Sequence, residues 1–234
     1  MEVFRALSDG EDLLLGSPFD YKKAALLLVP TDMPEPRDAG YPRAIEESLV
    51  RVARAAGGGV LCLFTSHAAL RQVAELLRGH ASCERWPLFV QGEDDRHRLL
   101  QRFVEHGRGI LLGTTSFWEG VDVPGDPLRG LVIQKLPFRV PTEPITAARM
   151  EAVERAGGDA FQQYMLPHAA LRLKQGFGRL IRSRSDRGAV LLLDDRIVAK
   201  RYGRYLRDSL PDAPFIKGAW SDVRRRLQAF YEGG

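Results

Sequence analysis

The sequence predicts an α/β protein built on an open, mostly parallel sheet with helices on both faces. Three observations carry that expectation. Six short runs, AALLLV (24–29), VLCLF (60–64), PLFV (87–90), GILLG (109–113), GLVIQ (130–134) and AVLLLD (189–194), are apolar almost throughout. They have the length of strands and the unbroken hydrophobicity of strands covered on both sides. Helical periods fill most of the intervals, and strand alternating with helix implies βαβ crossovers within one sheet.

The elements follow in chain order. Residues 42–56 open with Pro42, carry Ile45, Leu49, Val52, Ala53 and Ala56 on one stripe and stop at Gly57–Gly59, the expected punctuation of a helix. Leu70, Val73 and Leu77 repeat the period over 67–78, and Leu99, Leu100, Phe103 and Val104 mark a third helix. A fourth is expected over 169–182. Val198, Tyr202, Tyr205 and Leu206 read as one stripe, and Trp220, Val223, Leu227 and Phe230 as the last, with Arg224 to Arg226 on its wet side. The Pro-rich stretches 30–42 and 137–144 read as surface connections. Residues 1–20 carry no βα unit and read as a lead-in to a domain spanning 21–234.

At 234 residues, 44% apolar and 27% charged, the chain has the composition of a globular domain large enough for a substantial core. A net charge of +4 and a pI near 9.2 tilt the reading toward polyanionic partners. The cysteines Cys62 and Cys83 have no CxxC or Cys/His spacing, and His67, His80, His97, His106 and His168 show no metal-ligand pattern. Zinc, an iron–sulfur cluster and a disulfide framework are therefore not expected in this chain. No basic leader precedes an apolar segment and no apolar run reaches eighteen residues, so the expectation is a cytoplasmic protein with no membrane partner.

In an open α/β sheet, ligands collect at the carboxyl ends of the strands. VLCLF is followed by Thr65 and Ser66, which can cap the next helix or hold a phosphate at its N-terminus. PLFV is followed by Gln91 and Gly92, a turn that allows close backbone approach. GILLG is followed by TTSFWEGVDVPGD (114–126). There Thr114, Thr115 and Ser116 suit a phosphodiester, Phe117 and Trp118 are either stacking platforms or rim packing, and Glu119, Gly120 and Asp122 form an acidic turn suited to a ribose or a metal-bound phosphate. The bland alternative is an ordinary Gly/Asp/Pro loop.

The stretch LKQGFGRLIRSRSDRG (173–188) gathers five Lys or Arg residues around three glycines. On a helix, Gln175, Arg179 and Arg182 are spaced i, i+4 and i+7 and project within about 60° of one another. Gly176 and Gly178 each cost roughly 1 kcal/mol there relative to Ala. Guanidinium pairs beside glycine suit a multiply charged phosphate, and a solvated basic face is the alternative. Arg184 and Arg187 read as surface charge. Asp194 and Asp195 imitate a Walker B terminus, but GxxxxGK[ST] is absent from the sequence, so they read as a helix cap and an ion pair with Arg196 or a neighbour.

In their order along the chain, VLCLFTS, VQGE, GTTSFWEGVDVPGDPLRGLVIQKLPF and QGFGRLIRSRSDRGAVLLLDDRI resemble the second motor domain of the DinG–XPD family of superfamily 2 helicases. GSPFDY (16–21) resembles the segment by which that family enters the domain, so the likeness covers residues 14 to 215. The resemblance implies a RecA-like domain without a phosphate loop, and hence one half of an ATP-dependent DNA helicase. ATP and Mg²⁺ would be shared with an N-terminal motor domain, which in many members also carries the cysteines of an iron–sulfur cluster. By resemblance Arg179 and Arg182, with Gln175, act on the γ-phosphate, while Gly120 and Asp122, with Glu119 and Gly178, lie at the nucleotide. Thr65, Ser66, Gln91, Gly92, Thr114, Thr115 and Trp118 fall where such domains hold the backbone of single-stranded or forked DNA. The family implies 5′ to 3′ unwinding in repair and replication, and little ATP hydrolysis by this half alone. The alternative from another class is a non-catalytic module that binds single strands or a protein.

Overall fold

The structure is a computed structural model and describes residues 18–114, 117 and 128–233. Among them seven strands form one sheet: β1 (Ala25–Pro30), β2 (Val60–Phe64), β3 (Leu88–Val90), β4 (Ile110–Thr114), β5 (Gly130–Ile133), β6 (Gly188–Leu192) and β7 (Phe215–Gly218). Their spatial order is β3-β4-β2-β5-β6-β1-β7, and each neighbouring pair is parallel. The helices are α1 (Tyr21–Ala24), α2 (Tyr41–Ala56), α3 (His67–Arg78), α4 (Arg96–His106), α5 (Pro144–Arg155), α6 (Leu166–Leu180), α7 (Arg196–Ala199), α8 (Gly203–Asp208) and α9 (Trp220–Glu232). The six apolar runs thus supply β1 to β6.

A parallel sheet must cover both faces, and alternate residues of each strand feed two separate cores. Leu27, Leu61, Leu131 and Val190 pack with Phe103 of α4 and with Leu173, Phe177 and Leu180 of α6. Leu26, Leu28, Cys62, Val132 and Leu191 pack on the other side with Ile45 and Leu49 of α2, Val73 and Leu77 of α3, and Val223 and Leu227 of α9. Each fully buried aliphatic or Phe side chain contributes roughly 1.5–3 kcal/mol. Cys62 belongs to this second core, and burial pushes its thiol pKa up.

Helix punctuation follows the sequence closely. Pro42 sits in the first turn of α2, and Gly57 ends it in the left-handed conformation at φ 73°. Ser66 caps α3 by accepting from the Ala69 N–H at 3.3 Å. Asp95 caps α4 by accepting from His97 N and Arg98 N at 3.0 and 3.3 Å, and those bonds hold its carboxyl below the ordinary range.

Four features depart from expectation. β7 was not foreseen: FIKG is a half-exposed edge strand with no continuous apolar run, recruited by pairing Leu27 to Phe215. α5 follows the predicted connection 137–144 and has only Thr146 buried, so it shows no apolar stripe to read. The stripe expected from Val198 to Leu206 is broken into α7 and α8, because Gly203 packs directly on the Ile197 backbone. A Cβ there would lie 2.1 Å from the Ile197 carbonyl oxygen. Tyr205, expected on the buried face, is exposed. Finally, α6 runs continuously from a π-helical turn at Phe161–Met165 and stops at Leu180, with Ile181 extended. Pro167 lacks the N–H that an α-register would donate to Gln163, which suits a π turn at that point.

Gly58 gives a sharp test of the packing between the turn after α2 and the turn after α4. Its φ is 95°, and an added Cβ would lie 2.2 Å from the Arg108 carbonyl oxygen. Gly58→Ala is expected to cost about 2 kcal/mol or more. Thermal denaturation should show a Tm lower by about 5 °C.

Candidate functional site

At the carboxyl edge of the sheet, neighbouring strands are tied together by two glutamines. Gln91, just past β3, accepts at one side-chain oxygen from the Thr114 N–H (2.6 Å) and the Thr114 hydroxyl (3.1 Å) at the end of β4. Gln134, just past β5, presents Oε1 to the Thr65 N–H after β2 at 3.4 Å, and its backbone oxygen accepts from the Tyr41 hydroxyl at 3.0 Å. Burial first, and then the Asp194 charge, push the Tyr41 phenol well above its ordinary pKa. Thr114 and Gln134 are buried, Thr65 and Gln91 half-buried, and Ser66 and Gly92 exposed. Gly92 turns the chain at φ 97°, a conformation that favours glycine.

Asp194 at the end of β6 is buried and fully engaged. Its carboxylate accepts from the Leu136 N–H at 2.8 Å and from Arg196 Nε and Nη2 at 2.8 and 2.6 Å. The expected ion pair with Arg196 is present and ties the loop after β5 to the end of β6.

The arginine motif lies elsewhere. α6 turns Leu173, Gly176, Phe177 and Leu180 inward. Its opposite side forms an open groove of about 440 Å³ lined by His168, Leu171, Arg172, Gln175, Gly178, Arg179 and Arg182, with Arg139 from the loop after β5. Among the described residues, no carboxylate lines the groove. Arg182 lies beyond the helix rather than on its last turn, yet it faces the same groove as Gln175 and Arg179. Its backbone is fixed instead by Asp186, whose carboxylate accepts from the N–H groups of Arg182 (2.7 Å) and Ser183 (2.8 Å) and from the Ser183 hydroxyl (2.5 Å). An added Cβ at Gly178 would meet nothing within 4 Å, so glycine leaves the groove open there.

Leu180 packs on Gly188 at the start of β6, which puts the C-terminal end of α6 at the amino end of the sheet. The groove residues and the strand-end residues therefore form two distinct clusters. Arg139, Arg172, His168 and Gln134 were not foreseen. Arg172 and His168 continue the stripe of Gln175 and Arg179 backward by one and two turns, so extending the period would have found them. Arg139 and Gln134 arrive from the loop after β5 and carry no local signal. Among the described residues, the buried Nε of Arg139 has no hydrogen-bond partner.

Phe117, read as stacking platform or rim packing, is neither. It is buried in the core, pressed against Gly113, and the Arg96 guanidinium lies 5.4 Å from its ring centroid. Arg187 is not plain surface charge, since its guanidinium lies 4.4 Å from the Phe230 ring centroid and donates to the Phe230 carbonyl. Arg184 is exposed. Thr115, Ser116, Trp118, Glu119, Gly120 and Asp122 lie outside the described residues, as does most of the lead-in.

Residues 49–213 match the family described as the helicase C-terminal domain. The chain belongs to that family, within its DinG–XPD branch. It is 44% identical over 218 residues to the ATP-dependent DNA helicase YoaA of Escherichia coli K12, covering 93% of this chain and 34% of that protein. It is 42% identical over 203 residues to the ATP-dependent DNA helicase DinG of Photobacterium profundum, covering 85% of this chain and 29% of that protein. The helicase domain thus spans about a third of the length of these relatives. Its fold is similar to that of S. tokodaii Xpd4, with a TM-score of 0.59 at 19% identity over 84% of this chain and 39% of that one. The parallel sheet is that of a RecA-like helicase C-terminal domain.

Asp186 gives a pH-dependent test of the turn that carries Arg182. Burial alone would raise its carboxyl pKa, but the hydrogen bonds from the Ser183 hydroxyl and the Arg182 and Ser183 N–H groups outweigh it, and the net shift is downward. A group whose folded pKa is depressed stabilises at neutral pH and loses that contribution as pH falls below about 4 through the folded value. Asp186→Ala should therefore be less stable than the parent by about 1 kcal/mol at pH 7. In urea denaturation the gap should narrow at pH 3.

Proposed function

We propose that this domain is the second half of an ATP-driven DNA helicase and completes a nucleotide site whose other half lies on a separate motor domain. The observation that carries the reading is the groove on α6, where Gln175, Arg179 and Arg182 converge with Arg139 and Arg172. Such a surface fits phosphate oxygens, which guanidinium can bind in bidentate geometry. It does not fit Mg²⁺, and among the described residues no group of three metal-ligating side chains occurs. The metal would accordingly be held by the other domain with the β- and γ-phosphates of ATP.

Arg179 and Arg182 would then stabilise charge on the γ-phosphate in the transition state, and Gln175 would help position it. Leu171, 52% exposed beside the arginines, suits burial when a second domain closes over the groove. Exclusion of water from that closed cleft would strengthen every charge interaction within it. Gly178 leaves room for the nucleotide, and Glu119, Gly120 and Asp122 belong to the same nucleotide contact in this reading.

The strand-end row would hold DNA. Thr65, Ser66, Gln91, Gly92 and Thr114, with Thr115 and Trp118, would contact the phosphate and sugar of a single strand, giving sequence-tolerant and salt-sensitive binding. The bonds between Gln91 and Thr114, and between Gln134 and Thr65, are support for that row. Cycles of cleft closure on ATP would then move the strand, with 5′ to 3′ unwinding of forked DNA in repair and replication as the proposed task. No helix among the described residues is long and apolar enough to cross a membrane, and the proposed setting is the cytoplasm.

The decisive experiment supplies the N-terminal motor half in trans and measures DNA-stimulated ATP hydrolysis. The pair is expected to hydrolyse ATP, and the domain alone is expected to show little activity. Arg179→Ala or Arg182→Ala should each lower kcat by about 10³-fold, the scale of an arginine finger. Undiminished activity in both variants would remove them from the γ-phosphate. DNA binding without hydrolysis in any combination would make the domain a binding module.

A further inference from the structure

A second concentration of arginine lies on the opposite face of the sheet from the α6 groove. α2 and α9 cover that face side by side, burying Leu49, Val52 and Ala53 from one and Val223 and Leu227 from the other. Between them runs a cleft of about 680 Å³ lined by Arg51 and Arg54 of α2 and by Arg224, Arg225 and Gln228 of α9, with Glu232 as its carboxylate. All four guanidiniums belong to exposed residues. Arg225 pairs with Asp222 at 2.8 Å on its own helix, whereas Arg51 and Arg224 meet no carboxylate among the described residues.

Arg51 and Arg224 differ from the charges of a solvated mixed helix face, where opposite signs pair at i, i+3 or i, i+4 as Arg225 and Asp222 do. Here like charges from two helices line opposite walls of one cleft. Repulsion between them is relieved when an anion lies between the walls. Apolar lining is limited to Ala55 and Leu227. That leaves little pocket for the hydrophobic anchors by which a protein partner gains most of its affinity. Both walls are helical, so no strand edge is offered for backbone pairing. What the cleft does offer is planar donor forks on both sides of a track, which matches a chain bearing charge at every repeat.

We propose that the α2–α9 cleft binds the phosphate backbone of a nucleic-acid strand, as a second, sequence-independent site outside the strand-end row. It lies behind the sheet, so a strand held there is remote from the α6 groove. The cleft would anchor nucleic acid and take no part in hydrolysis. This assignment rests on the charge of the cleft alone and does not depend on the roles proposed for Arg179, Arg182 or the strand-end residues.

The test titrates the 234-residue domain into a fluorescently labelled oligo-dT of about 20 nucleotides, reading anisotropy at several salt concentrations, with each released counterion contributing to the salt slope. The double substitution Arg51→Glu with Arg224→Glu removes two cations, and Arg51→Gln with Arg224→Gln controls for charge reversal. Both positions are exposed, and an unchanged Tm confirms folding. The expected result is an affinity at least tenfold weaker for the Glu pair at about 100 mM salt. The slope of log K against log[salt] should fall by about 1.4 for the Gln pair, two single-strand phosphate contacts. A Gln91→Ala variant removes no cation and should keep the parent slope whether or not the strand-end row binds as well, which separates that row from the cleft. Folded double variants that bind with parental affinity and slope would overturn the proposal and leave an acidic protein surface as the occupant to seek. A parent domain that fails to bind the oligonucleotide even at low salt would overturn it too, while the α6 assignment would stand or fall separately on ATP hydrolysis.

Discussion

The candidate nucleotide site depends above all on how α6 is clamped to the sheet. Leu173, Phe177 and Leu180 bury one stripe of the helix, and the 3.6-residue period then dictates that His168, Arg172, Gln175 and Arg179 face outward. The two glycines of the motif serve different ends. Gly176 is buried on the packed side, while Gly178 opens onto the groove. Glycine at 188 belongs to the same clamp, because a Cβ there would lie 2.5 Å from Leu180 and 2.6 Å from the Arg129 carbonyl oxygen. Roughly 1 kcal/mol of helix propensity per glycine is the cost of that geometry.

Polar groups at the carboxyl edge follow a second constraint. Where parallel strands end, backbone N–H and carbonyl groups lose their ladder partners and must find others. Gln91, Gln134 and Asp194 supply them to Thr114, Thr65 and Leu136. The same side chains therefore complete the fold and set the spacing of the hydroxyls and backbone groups proposed to meet a nucleic-acid strand. Asp194 illustrates the division of labour. Its place in the sequence resembles that of a metal-binding carboxylate, yet its oxygens are taken up by Arg196 and by a backbone N–H.

Charge is distributed more unevenly than a net of +4 suggests. One basic groove lies on the α6 side of the sheet and another between α2 and α9, with both hydrophobic cores between them. A sheet covered by helices on both faces permits this separation, since each layer presents its own wet surface. Neither groove is a consequence of the other, and a single polyanion need not serve both.

Most of the fold was legible in the sequence because the signals are local. A strand buried on both faces must be apolar at successive positions, and a helix packed on a sheet must repeat its apolar residues every three to four. β1 to β6 and the main packed helices announce themselves in this way. β7 and α5 do not, since one is a half-exposed edge strand and the other buries almost nothing. The grouping of Gln175, Arg179 and Arg182 was likewise legible: they share a groove, though Arg182 reaches it from beyond the helix, held by Asp186. Only tertiary structure brought Arg139 beside them, withdrew Phe117 into the core, and set Arg51 opposite Arg224. Local burial leaves a period in the chain, whereas contact between distant segments leaves none, so the sequence by itself determined the layers and the motif, and folding decided what faces them.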